Sequence, residues 1–285
     1  MPLNLLFSRA FGPGHALGFF MVKNTMREAT TSRWHLRSRI RASGVHLGIS
    51  ALVAGCAAAL VFFFWFPYPY RVIAGGQDLF WLMVSVDVVL GPLLTLVVFD
   101  IRKPRNELAR DLSVIAAIQL TALAYGLWSV YQSRPVYLVH EVDRLVAVSA
   151  ADVDPEDLPK AAPAFRTLPF AGARLIGLRE SRDGEERMKS FELALAGKDL
   201  SLRPEYWQPI SDQNRQVMRQ RAKPLAFLSA RSQETESMVS AWVLENGRKI
   251  EDLVYLPLTA RKTIWTAVLD SETLEIVGYL PVDGF

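Results

Sequence analysis

The stretches VHLGISALVAGCAAALVFFFWF (45–66), LFWLMVSVDVVLGPLLTLVVF (79–99) and LSVIAAIQLTALAYGLWSVY (112–131) decide the fold. Each reaches the roughly 20 apolar residues that cross a hydrocarbon core about 30 Å thick, whereas a helix buried in a soluble protein is usually shorter and apolar along one stripe. The middle stretch is the most demanding, because it carries Asp87, Gly91 and Pro92. Fourteen of its residues are Leu, Val or Phe. Together they favour insertion by roughly 5 kcal/mol, against about 3 kcal/mol for a central Asp and smaller penalties for Gly and Pro. All three stretches are predicted to be transmembrane helices.

The cations set the orientation. Arg33, Arg37, Arg39 and Arg41 precede the first helix, and Arg102, Lys103, Arg105 and Arg110 lie between the second and third. The opposite side offers only Arg71, Arg134 and Arg144. The positive-inside rule then makes the N-terminus and the loop after Phe99 cytoplasmic and places everything beyond Tyr131 outside. Trp65, Tyr68, Tyr70, Trp81, Trp128 and Tyr131 gather at the outer boundary as an aromatic belt.

Three regions follow. Residues 1–44 form a basic cytoplasmic segment, of which 1–25 read as a disordered or mis-started extension. Residues 45–131 form the transmembrane region, and residues 132–285 an outer domain. The first 131 residues hold 12 Lys and Arg against 6 Asp and Glu, and the remainder 20 against 23. The basic excess therefore belongs to the membrane side, with anionic lipid headgroups as its partners. The outer domain is slightly acidic, which argues against nucleic-acid binding. Its core must hold without disulfides, because the single Cys56 lies mid-helix and reads as a small packing residue.

In the outer domain, 136–142 and 145–149 are β-branched runs that read as a strand pair or one bent strand. A proline-rich passage, DPEDLPKAAPAFRTLP, excludes a long helix. Residues 174–179 and 190–195 are candidate strands. ISDQNRQVMRQRAK reads as a short helix capped by Ser211 or Asp212, and 232–246 as a second helix ending at Gly247. A hairpin, 264–269 with 274–280, closes the chain. The fold class is a membrane protein with three transmembrane α-helices and an α+β outer domain built on a small, mostly antiparallel sheet.

No nucleophile elbow, P-loop, zinc-spaced Cys/His set or GxGxxG run is present. No cofactor, metal or small-molecule substrate is expected, nor an enzyme. His140, the only histidine of the outer domain, reads as a structural strand residue. Asp87 is the residue to single out, because an ionisable side chain within a spanning helix is costly and faces protein rather than lipid. It sits about eight residues, or roughly 12 Å, from the outer end of its helix. Thr121 and Tyr125 are its candidate hydrogen-bond partners, with Gln119 a little deeper. Asp87, Gly91 and Thr95 recur every four residues on one face, and Pro92 frees the carbonyl of Val88. On the first helix Ala51, Gly55 and Ala59 form a stripe of small residues that permits close helix approach. It either packs against the second helix of the same chain or receives the transmembrane helix of another protein.

The stretches RASGVHLGISALVAG, YPYRVIAGGQDLF, VDVVLGPLLTLVVFDIRKPRNELARDL, QLTALAYG and RPVYLVHEVDR resemble the TfpX/TfpZ family of type IV pilin accessory proteins, as do the closing LPLTARKTIWTAVLD and IVGYLPVD. The resemblance runs from about Arg41 to the C-terminus, most closely over 41–144. The turn DSET lacks the glycine expected there. The resemblance implies a bacterial inner-membrane protein with its C-terminal domain in the periplasm, a non-enzymatic, chaperone-like factor that assists a cognate major type IV pilin in pilus assembly. The alternative is a membrane-anchored sensor or transport subunit. The cytoplasmic loop is too short for an output domain, and one acid is thin provision for an ion path.

Overall fold

The computed structural model describes the backbone of residues 13–285 and the side chains from Leu36 onward; residues 1–12 of the segment read as an extension lie outside the described residues. Helix α1 (Pro13–Ala59) passes into a π-helical turn, Leu60–Trp65. Pro67 and Pro69 stop it, since neither supplies the amide a helix needs. A one-turn helix α2 (Tyr70–Ile73) follows, then α3 (Gly76–Val98) and α4 (Arg105–Gln132). Three helices, Leu36–Trp65, Gly76–Val98 and Arg105–Gln132, are long and apolar enough to cross a membrane. Cys56 does not pack as expected but lies exposed on α1.

The chain divides into two compact units. Among the described residues, one comprises the chain up to Ala54 together with Val84–Ala124, and the other Gly55–Met83 with Tyr125–Phe285. The second unit contains a sheet domain. Its strands are β1 (Pro135–Glu141), β2 (Arg144–Ser149), β3 (Arg174–Leu178), β4 (Trp207–Gln208), β5 (Lys223–Pro224), β6 (Leu253–Thr259), β7 (Ile264–Asp270) and β8 (Ile276–Leu280). Its helices are α5 (Gly184–Leu195), α6 (Asp212–Arg221), α7 (Leu225–Ser229) and α8 (Gln233–Glu245).

The sheet is larger than the sequence suggests, and it is mixed. Eight strands run in the order β4-β3-β1-β2-β6-β7-β8, with β5 also on β6. The β1–β2 hairpin forms the centre, and both its flanks are parallel, to β3 on one side and β6 on the other. The expectation of a mostly antiparallel sheet fails here because both flanking strands return through long connections, whose direction no local pattern encodes. Strand β6 also eludes a sequence reading because it contains Pro257. It pairs with β5 at Val254 and Tyr255 and with β2 at Leu258 and Thr259. Pro257 falls between these two partners, where no amide is called for.

Residues 190–195, expected as a strand, belong to α5. The Asp183 side chain accepts from the Glu186 amide, and acids occupy the first turn. That cap and the favourable dipole outweigh the short apolar run. The closing hairpin forms without glycine, as Leu274 takes a left-handed φ of 58° and is 2% exposed. Asp270 Oδ1 fastens the turn by accepting from the amides of Glu272 and Thr273. One core packs Val136, Val139, Val148, Phe165 and Trp207 around the hairpin. A second packs Leu225, Leu228, Val239, Tyr255 and Val268 under α7 and α8.

Candidate functional site

Polar residues at helical spacing give α1 one hydrogen-bonding face. Ser43 Oγ donates to the carbonyl of Pro92 at 2.8 Å, and His46 Nδ1 lies 2.6 Å from Thr95 Oγ1. At the end of the same seam Arg39 reaches Asp100 at 3.4 Å. Hydrogen bonds from the Arg102 side chain and amide, with Arg39 beyond, hold the Asp100 carboxyl well below the usual carboxylate range. Thr95 is buried. Sequence reasoning passed over Ser43 and His46. Their spacing with Ser50, one polar group each three or four residues on an otherwise apolar helix, was the available signal.

Gly91 leaves room for the side-chain amide of Gln119, which would have to swing aside if a Cβ were present there. From that position Gln119 Nε2 donates to the backbone carbonyl of Asp87 at 3.1 Å. Asp87 Oδ2 is buried and has no hydrogen-bond partner among the described residues. The expected donors are engaged elsewhere or turned outward. Thr121 Oγ1 gives its proton to the carbonyl of Ala117, and Tyr125 is 68% exposed with its ring tilted against Trp128. Pro92 sits inside α3 without interrupting it, and its own carbonyl is the one that Ser43 satisfies.

Asp87 lines a cavity of about 260 Å³ bounded by α1, α3 and α4, with His46, Ser50 and Val53 on one wall and Gln119 and Leu123 on another. A second cavity of about 600 Å³ shares His46 and Ile49 and extends past Thr95 to Arg41 and Phe99. The arrangement is an apolar recess with one carboxylate oxygen that lacks a donor. Such a recess suits a side chain that brings a hydrogen-bond donor on an apolar stem.

Ala51, Gly55 and Ala59 are all exposed, and a Cβ on Gly55 would meet nothing. At 100° per residue their stripe lies on the face of α1 opposite to His46, Ser50 and Val53. The sequence reading matches this stripe to the Asp87, Gly91 and Thr95 face, either packed within the chain or open to another helix. The structure separates them into a recess and an outward stripe.

A family model described as Fimbrial assembly protein FimB matches residues 34–75, which contain this polar face of α1. The fimbrial assembly protein of serogroup I from Dichelobacter nodosus is 35% identical over 246 residues, covering 85% of this chain and 95% of that protein. The chain belongs to the fimbrial assembly protein family. The serogroup E1 protein of the same organism is 35% identical over 247 residues, with the same coverage. The protein of serogroups C1 and C2 is 41% identical over 119 residues, 42% of this chain. No solved structure matches the chain. Among the described residues of this fimbrial assembly protein homologue, no group of three or more His, Cys, Asp or Glu is placed to hold a metal ion.

Proposed function

We propose that this protein is a non-enzymatic accessory factor of the bacterial inner membrane, of the TfpX/TfpZ kind, that assists a cognate major type IV pilin in its stability, assembly or surface display. Its N-terminus and the loop after Phe99 are cytoplasmic, residues 45–131 span the bilayer, and residues 132–285 form a periplasmic domain. Family membership supports the assembly role. The apolar helices and the cation bias support the location.

The observation that carries the reading is the unpaired carboxylate oxygen of Asp87 in its recess. A buried polar atom without a partner costs about 1–3 kcal/mol, so a partner helix that supplies a donor gains that much on docking. The pilin helix presents its donor to Asp87 in the recess, while Gly91, Pro92 and Thr95 below it hold α3 to α4 and α1. The stripe Ala51, Gly55 and Ala59 offers close approach to a further helix, and lipid covers the remaining apolar surface.

The test is co-purification of the full-length major pilin with the tagged protein from crosslinked membranes, alongside a count of surface pili in a strain lacking the protein. Pilin in the eluate and a loss of pili are expected. Normal piliation in the deletion strain would refute the role.

A further inference from the structure

The sequence places Trp65 and Tyr70 in an aromatic belt at the outer boundary, but the folded chain covers both. Trp65 is 6% exposed and Tyr70 5%. What covers them comes from the sheet domain, within the same compact unit. Phe170 sets its ring against Trp65 and Tyr131, at centroid distances of 6.2 and 5.9 Å, and the hydroxyl of Tyr279 lies 3.5 Å from that of Tyr70. Phe170 itself remains 56% exposed, beside the last residues of two apolar helices.

Two loops of the sheet domain make further contacts, and each gives an amide to a helix end. The Gly172 amide donates to the carbonyl of Phe64 at 3.0 Å, and the Lys262 amide to that of Ile73 at 3.1 Å. Phe64 lies in the π-helical turn that ends the first helix, and Ile73 is the last residue of α2. Terminal carbonyls have no partner within their own helix, and at the edge of a hydrocarbon phase an unsatisfied one is costly. The Lys262 ammonium also pairs with Asp78 in the first turn of α3. These bonds hold segments 169–172 and 260–263 level with the outer ends of the apolar helices.

The side chains left outward at that level are aromatic and cationic. Tyr68 is exposed, with Trp265 edge-on to its ring at 6.1 Å and the guanidinium of Arg71 over it at 5.7 Å. Arg261 is exposed in the turn between β6 and β7. Rings with a polar edge and cations on long apolar stems settle where acyl chains meet headgroups. Continuity decides the occupant. Phe64, whose carbonyl holds Gly172, is exposed together with Phe63 on the apolar helix, so the surface beside Phe170 is the one that lipid already covers.

We propose that segments 169–172 and 260–263 rest in the headgroup layer of the bilayer that the helices cross. Phe170 dips toward the acyl chains, and Arg71 and Arg261 reach the phosphates that every phospholipid carries. The sheet domain is thereby a body seated on the membrane at fixed height, not a head on a tether. The inference rests on the membrane placement in the reading above and is independent of the pilin.

The test reads depth in full-length protein reconstituted into phosphatidylcholine nanodiscs that contain nitroxide-labelled phosphatidylcholine. An NBD fluorophore on the native Cys56, exposed in the middle of the first apolar stretch, reports on the helices. In a Cys56→Ser background the fluorophore is moved to Phe170→Cys, Arg261→Cys or Glu272→Cys. Glu272 is the control, exposed in the turn beyond β7, a seven-residue strand that sets it about 20 Å from the 260–263 turn. We expect a nitroxide on the headgroup to quench the probes at 170 and 261 and to leave the probe at 272 at full intensity, while a nitroxide deep on the acyl chain quenches Cys56. Either loop decides if the other variant does not fold. Quenching at Cys56 with none at 170 and 261 would overturn the seating and leave the spans intact. No quenching at Cys56 would remove the membrane placement and the inference together. Equal quenching at 272 would mean that the domain lies flat on the bilayer and would also overturn the proposal.

Discussion

Gln119 Nε2 donates to the backbone carbonyl of Asp87 at 3.1 Å, while the carboxylate Oδ2 of the same residue has no hydrogen-bond partner among the described residues. One side chain thus ties α4 to α3 at the depth where α3 carries its charge. The polar atom able to bind something else remains free.

Substitution of Asp87 separates stability from function. Asp87→Leu removes an insertion cost of about 3 kcal/mol, so protein levels should be normal or higher. Surface pili should nevertheless fall while the pilin is still made, and Asp87→Asn should be milder. Immunoblots of membranes paired with pilus counts check this. Full piliation in both variants at wild-type protein level would reduce Asp87 to tolerated structural polarity.

Gly55→Leu probes the outward stripe. A side chain there meets nothing within the protein, so expression and melting should be unchanged. A leucine obstructs close helix approach, and piliation should drop, though less than with Asp87→Leu. Wild-type piliation would remove the stripe from the interaction surface.

Reporter fusions check the topology. A periplasm-dependent reporter fused after Phe285 should be active, and one inserted within 102–110 silent. The reverse pattern would invert the orientation, and equal activity at the two positions would sink the three-span assignment.

The sheet domain should lose stability in mild acid through His140. Burial is the largest influence on its imidazole and, opposed by Asp143 and aided by Arg221, lowers its pKa to about 4. An unfolded histidine titrates near 6.5. Above that pH both states are neutral and the group contributes no pH dependence. Between about 6.5 and 4 the unfolded chain takes up a proton that the folded one refuses, so stability falls by on the order of 2–3 kcal/mol. Glu186, held down to about 2 by Arg179, acts only below the ordinary carboxylate range. Melting curves from pH 7 to 4 should therefore fall more steeply for wild type than for His140→Leu. Parallel curves would contradict the assignment.

Gly278→Ala should destabilise the same domain by about 1–3 kcal/mol, because a Cβ would overlap the rigid indole of Trp242. Chemical denaturation followed by tryptophan fluorescence measures the change. An unchanged midpoint would mean that α8 can shift off β8 without loss.

The amino-acid sequence by itself determined the apolar helices, the extended character of 136–149, the capped helices α6 and α8 and the closing hairpin, while the structure resolved 136–149 as a hairpin rather than one bent strand. Each rests on a local signal: a run of apolar residues, a period of two, or a serine that accepts from an amide three residues on. It also picked out Asp87, because a charge among Leu and Val is conspicuous in one dimension. Only the tertiary structure decided that β3 and β6 lie parallel to the hairpin and that β6 accommodates Pro257 in a gap between two neighbours. Those outcomes depend on where long connections bring the chain back. The same holds for the recess. Ser43, His46, Gly91 and Gln119 matter through contacts between helices, and whether the stripe at Gly55 faces inward or outward depends on how α1 is rotated against α3 and α4. A helical sequence defines faces, but packing chooses which of them turns inward.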